Sequence, residues 1–135
     1  MFDVEVCEAK RVLWIRFRGE LAEADFTRLD GLGRDVKSVP SCDVVFDMTS
    51  VEKVHLATDF VARRGELPQA FPDRARIYVV PQHDLKLLVR LYAAYQASRG
   101  WRSPVIVQKV EEAFESSRSA LPTFATLKPS VVSKN

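Results

Sequence analysis

Three short apolar runs most constrain what this chain can become: Asp43-Val44-Val45-Phe46-Asp47-Met48, Arg76-Ile77-Tyr78-Val79-Val80 and Pro104-Val105-Ile106-Val107-Gln108. The first has no wet face, as expected of an interior strand covered on both sides. Between the runs lie segments with helical spacing. Thr58, Phe60, Val61 and Leu67 lead toward Pro68, and a longer helix spans about Asp84 to Arg99 and stops at Gly100. Neighbouring parallel strands need a crossover of a dozen or more residues, usually a helix, and these intervals supply one each time.

The chain begins differently. Phe2 to Glu8 alternates apolar and polar residues, and Arg11 to Arg18 follows after only Ala9-Lys10, so the two strands are expected to form an antiparallel hairpin. Gly19 is expected to stop the second strand. From about Ala22 to Lys37, Phe26, Leu29, Leu32, Gly33 and Val36 recur at helical spacing, and Val110 to about Ser117 is a short closing helix. The order β-β-α-β-α-β-α-β-α implies an α/β fold: a single mixed sheet of about five strands flanked by about four helices. Residues 1–118 read as one domain. Residues 119–135, with Pro122 and Pro129 among Ser, Thr and Ala, read as a flexible C-terminal tail.

At 135 residues the chain can bury a core without metal or disulfide staples. A net charge of +2 with acids and bases interspersed argues against a nucleic-acid partner. No apolar run approaches the roughly 18 residues of a membrane span, and Asp3 and Glu5 stand where a secretory peptide needs basic residues. Cys7 and Cys42 lie in apolar runs and read as small buried hydrophobes, compatible with a cytoplasmic location. Two histidines and two cysteines without ligand spacing leave no metal site, and Gly31-Leu32-Gly33 lies inside a helical pattern, the wrong context for a dinucleotide loop. No cofactor is expected.

Three groups of residues are candidates for function. Asp47, Thr49 and Ser50 end the central strand, where open α/β sheets place ligands; forming a turn is their simpler role. His55, Thr58, Asp59 and Phe60 continue that edge into the next helix. Thr58 is either a helix cap or a phospho-acceptor or anion contact, while Asp59 already complements the helix dipole. On the third helix, Leu85, Leu87, Leu88, Val89, Leu91, Tyr92 and Tyr95 cover roughly 200° of the wheel, more than packing on one sheet requires. Leu87, Leu91 and Tyr95 are the surplus. They either pack on the second helix or form a partner or ligand face. Arg63-Arg64 and Arg74-Arg76 read as solvated borders, and Trp14 and Trp101 as core or edge anchors. His83 with Asp84 has the residue types of a general base and its orienting acid, but no nucleophile stands at a matching spacing.

Taken together, the Phe46-Asp47-Met48-Thr49 strand end, the helix start near Thr58, Tyr78-Val79-Val80-Pro81 leading into a long helix, and the closing Val110-Glu111-Glu112-Ala113-Phe114 resemble the STAS-like superfamily. This is the SpoIIAA-like fold of bacterial anti-sigma-factor antagonists, and within it the chain is similar to small STAS/SEC14-like proteins. The likeness covers about residues 2 to 118. It implies a non-enzymatic, regulatory protein-interaction domain, capable of self-association as a homodimer. In the antagonists a serine of an Asp-Ser-Ser motif at a helix start is phosphorylated; here the stretch is His55-Leu56-Ala57-Thr58-Asp59, with neither that order nor the following Gly. The alternative is a carrier of a small apolar or lipid-like ligand. A second alternative is an enzyme built on His83, Asp84 and Asp47.

Overall fold

The computed structural model describes residues 1–7, 11–35, 43–68, 75–116 and 125–126. Within them the chain forms one mixed sheet with four helices. The elements are β1 (Phe2–Cys7), β2 (Val12–Ala22), α1 (Glu23–Asp35), β3 (Asp43–His55), α2 (Thr58–Gly65), β4 (Arg76–Val79), α3 (His83–Ser98), β5 (Val105–Val107), α4 (Val110–Ser116) and β6 (Ala125–Thr126). Across the sheet the strands run β5-β4-β3-β2-β1-β6. β2 through β5 are parallel neighbours, and β1 is antiparallel to both β2 and β6. The β6 strand lies within the expected tail, whose other residues are outside those described, as are the side chains of Cys7 and Cys42. Among the described residues no helix is long and apolar enough to cross a membrane.

Because each parallel strand sits beside its predecessor, the three crossovers advance in one direction. Right-handed connections then place α1, α2 and α3 on the same face. The core divides accordingly. On that face Phe26, Leu29 and Leu32 of α1 and Leu85 and Val89 of α3 pack on Leu13, Ile15, Phe17, Val44, Phe46 and Tyr78. On the other, Ala113 and Phe114 of α4 cover Val12, Val45, Ile77 and Val79. The β1–β2 hairpin carries ion pairs instead, Asp3 with Arg18 and Glu5 with Arg16.

Three boundaries depart from the sequence reading. Gly19 does not end β2. The strand passes through it at φ +69 and continues to Ala22. Correspondingly β3 does not give way to a loop at Thr49 but runs on to His55 beside the extended β2. The pairing slips twice, from Arg16↔Asp47 to Arg18↔Ser50 and from Gly19↔Val51 to Glu20↔Lys53, so β3 carries one extra residue at each step. Those extra residues let Phe46, Met48, Val51 and Val54 all reach the same core at unequal spacing. α2 ends at Gly65, short of Leu67, which is exposed. α3 stops as its glycine suggested. Gly100 takes φ +78, its N–H donates to Ala97 O at 2.9 Å, and Trp101 N–H donates to Gln96 O at 3.1 Å, the paired bonds of a Schellman stop.

Candidate functional site: a bulged crest and an aromatic cleft

The first bulge in β3 is held from both sides. Asp47 accepts hydrogen bonds at Oδ1 from Thr49 N (2.9 Å) and Thr49 Oγ1 (2.7 Å), and at Oδ2 from Trp14 Nε1 (3.1 Å). From the next crossover, Gln82 Nε2 donates to Met48 O (2.7 Å) and Val51 O (2.9 Å). Asp47 therefore takes the simpler of the two roles its place at the strand end offered, bonding the backbone two residues on, and does not face a ligand. It is 3% exposed, and three donors offset the cost of burying it.

Above this fastening, Thr49, Ser50, Glu52, Lys53 and His55 are exposed, with His55 Nε2 at 3.2 Å from Glu20 Oε1. Ser50 and His55 are roughly 16 Å apart on an extended strand at about 3.3 Å per residue. The expected edge is thus a ridge along β3, not one cluster. Thr58 also differs from the capping role considered for it: Ala57 occupies the N-cap with no side-chain bond, and Thr58 is the first helical residue, exposed beside exposed Asp59. Phe60 turns inward, half-buried against the core. His83 and Asp84 are exposed on the first turn of α3.

A cleft opens between the three helices and the sheet, with Leu21, Phe26, Met48, Phe60, Leu85 and Leu88 among its apolar walls and Arg64, Tyr78 and Tyr92 as its polar groups. Phe26 and Phe60 bring α1 and α2 together with ring centroids 5.8 Å apart; Tyr78 stacks on Phe46 at 4.4 Å and meets Tyr92 at 6.2 Å. Arg64, expected to be solvated, instead lies 4.9 Å over the Phe26 ring and grips Asp30 through two bonds, Nη1 to Oδ2 at 3.2 Å and Nη2 to Oδ1 at 2.7 Å. Burial opposes its charge, but the Asp30 carboxylate, with Tyr78 and Tyr92 adding to it, holds the guanidinium above its ordinary value.

Arg76 was also expected in solvent and is 4% exposed. Its guanidinium donates to Tyr92 Oη (2.9 Å) and to Arg102 O, both uncharged acceptors. Burial, with Tyr92 adding to it, pushes the Tyr78 phenol well above its ordinary value, against the opposing pull of Arg76 and Arg64. The space open to the centre of a water-sized molecule is about 40 Å³.

The surplus face of α3 divides. Tyr95 packs on α2, where a Cβ placed on Gly65 would lie 2.5 Å from Tyr95 Cβ. Leu91 is half-buried, and Leu87 stays 50% exposed. Gln96 ties the same joint from inside, Nε2 donating to Gly65 O (2.7 Å) and Leu67 O (3.0 Å). The ties made by Gln82 to β3, by Gln96 to Gly65 and by Arg76 to Tyr92 went unrecognised. One signal was available: Gln96 follows Leu85 by eleven residues and so returns to the buried side of a 100° wheel.

Among the described residues no three His, Cys, Asp or Glu side chains are grouped to hold a metal ion. Neither a protein-family model nor a curated protein matches this chain.

Proposed function

We propose that the chain is a STAS-like, non-enzymatic interaction module acting in the cytoplasm, which docks a protein partner along the β3 ridge. The observation that carries this reading is the contrast at β3: buried Asp47 and half-buried Gln82 fasten the bulge while Thr49, Ser50, Glu52, Lys53 and His55 above it remain exposed. A ridge held in one shape loses little conformational entropy on docking. The strand order and the one-directional crossovers support the STAS-like assignment at the level of fold alone.

The test compares the tagged chain with a Ser50→Arg, Lys53→Glu double variant as bait in native cell extract. A partner captured by the first and lost by the second, with unchanged melting, supports the ridge. Equal capture by both removes it. The partner could be a second copy, with Leu87 and Leu91 adding apolar area; sedimentation at rising concentration tests this, and a strict monomer ends the homodimer version. The cleft favours a second reading, a carrier of a small apolar ligand, because it joins apolar walls to a few polar groups as small-molecule sites do.

A further inference from the structure

We propose that the cleft takes a small carboxylic acid with an aliphatic or aromatic body, and that Asp30 holds Arg64 in the arrangement the acid's own carboxylate adopts when bound. This rests on the carrier reading and deepens it by naming the ligand's chemistry.

The walls set one half of that chemistry. Leu21, Phe26, Met48, Phe60, Leu85 and Leu88 offer apolar surface with no charge to match. The polar groups set the other. Arg64 contributes N–H donors, and Tyr78 and Tyr92 contribute hydroxyls. Charge fixes the sign. Asp30 balances Arg64, but Arg76, behind Tyr92, gives its hydrogen bonds among the described residues to a phenol and a peptide carbonyl, which leave its charge in place. The polar part of the cleft is therefore biased toward an anion.

The Asp30–Arg64 pair explains why that bias is not already satisfied. Two parallel N–H···O bonds are the geometry a guanidinium offers any carboxylate. Of the two side chains Asp30 is the wetter, 44% exposed against 19% for Arg64. Asp30 can swing into water at small cost while Arg64 stays over Phe26, so exchange of one carboxylate for another is nearly balanced. The exchange also releases the link between α1 and α2. That matters because the present space of about 40 Å³ is well below the roughly 150 Å³ of a cavity that binds benzene. A ligand requires the two helices to part, and Asp30–Arg64 is one of the ties holding them.

The experiment titrates the full chain with octanoate and, separately, octan-1-ol, following heat of binding and melting temperature. Octanoate should bind saturably at one per chain, at least tenfold more tightly than the alcohol. Asp30→Asn should strengthen octanoate binding at least threefold, and Arg64→Met should abolish the preference for acid over alcohol. Glu23→Gln, which removes an exposed acid of α1 outside the cleft, should leave the affinity unchanged. Equal binding of acid and alcohol, or Asp30→Asn binding octanoate no more tightly than the unaltered chain, overturns the inference while leaving the carrier reading intact. An equal gain from Glu23→Gln also overturns it, by reducing the effect to net charge. Failure of both ligands to bind overturns the inference and the carrier reading together, and leaves the ridge untouched.

Discussion

Gly65→Ala is the sharpest test of how α2 is set against α3. The added methyl would sit 2.5 Å from Tyr95 Cβ and 3.1 Å from the Tyr92 carbonyl oxygen. Neither neighbour can rotate away, since a Cβ and a carbonyl are fixed by their own backbone. Reaching the 3.4 Å at which contact becomes ordinary requires the helices to separate by about 1 Å. Overpacking of this kind costs about 1–3 kcal/mol, against a helix-propensity gain of at most about 1 kcal/mol for replacing Gly by Ala. The net loss should be about 1–2 kcal/mol, a fall in melting temperature of about 3–8 °C for a domain of this size. Circular dichroism melts, with urea titration as a second measure, read it directly. Tyr95→Gly removes the closest atom, so in that background the same Ala substitution should be neutral or slightly stabilising, a reversal that only the steric account produces. A Gly65→Ala protein melting at or above the original, or an undiminished penalty beside Tyr95→Gly, refutes the reasoning.

Gln96→Leu keeps the volume but strips the donor from Gly65 O and Leu67 O, and should cost about 2–4 kcal/mol in urea unfolding; a loss under about 1 kcal/mol would mean those carbonyls find other partners. Thr58→Ala should change stability by less than about 0.5 kcal/mol, because its hydroxyl caps nothing. A loss of 1 kcal/mol or more would restore the cap. If Thr58 is the target of a partner kinase, the same variant should lose labelling in extract, and unchanged labelling excludes it. Tyr78 governs the alkaline limit. Burial raises its phenol above the ordinary value, so as pH passes about 10 the unfolded chain releases this proton first, and stability falls by up to about 1.4 kcal/mol per pH unit. Tyr78→Phe should flatten the drop in urea midpoint between about pH 9 and 11. An unaltered slope would place the titration elsewhere.

Residues whose patterns are local gave up their structure readily to sequence reading. The alternation in β1, the covered runs of β3 and β4, and the α3 stripe ending at Gly100 all reflect periodicities that one element imposes on itself. The second half of β3 did not, for a specific reason. Met48, Val51 and Val54 face one core at intervals of three because each bulge adds a residue, and that spacing does not read as a strand. The cleft was opaque for another reason. Phe26, Phe60, Tyr78, Leu85 and Tyr92 belong to four elements, and only the strand order and helix packing bring them together. Arg76 left no sign at all: a basic residue at a strand start reads as solvated, and its acceptors are a distant phenol and a peptide carbonyl. Asp47 was legible in part: its bond from Thr49 N is the turn role its position suggests, whereas Trp14, its indole partner, lies on a strand that only register aligns with it.

The pairing of Glu5 with Thr126 and Val6 with Ala125 gives the short β6 strand a protective part to play. Cut away, it would leave the peptide donors and acceptors at Glu5 and Val6 of β1 unguarded, an invitation to strand exchange between molecules. A shortened chain ending near residue 118 should therefore keep its three crossovers and its cleft, yet scatter light on storage where the full chain stays clear.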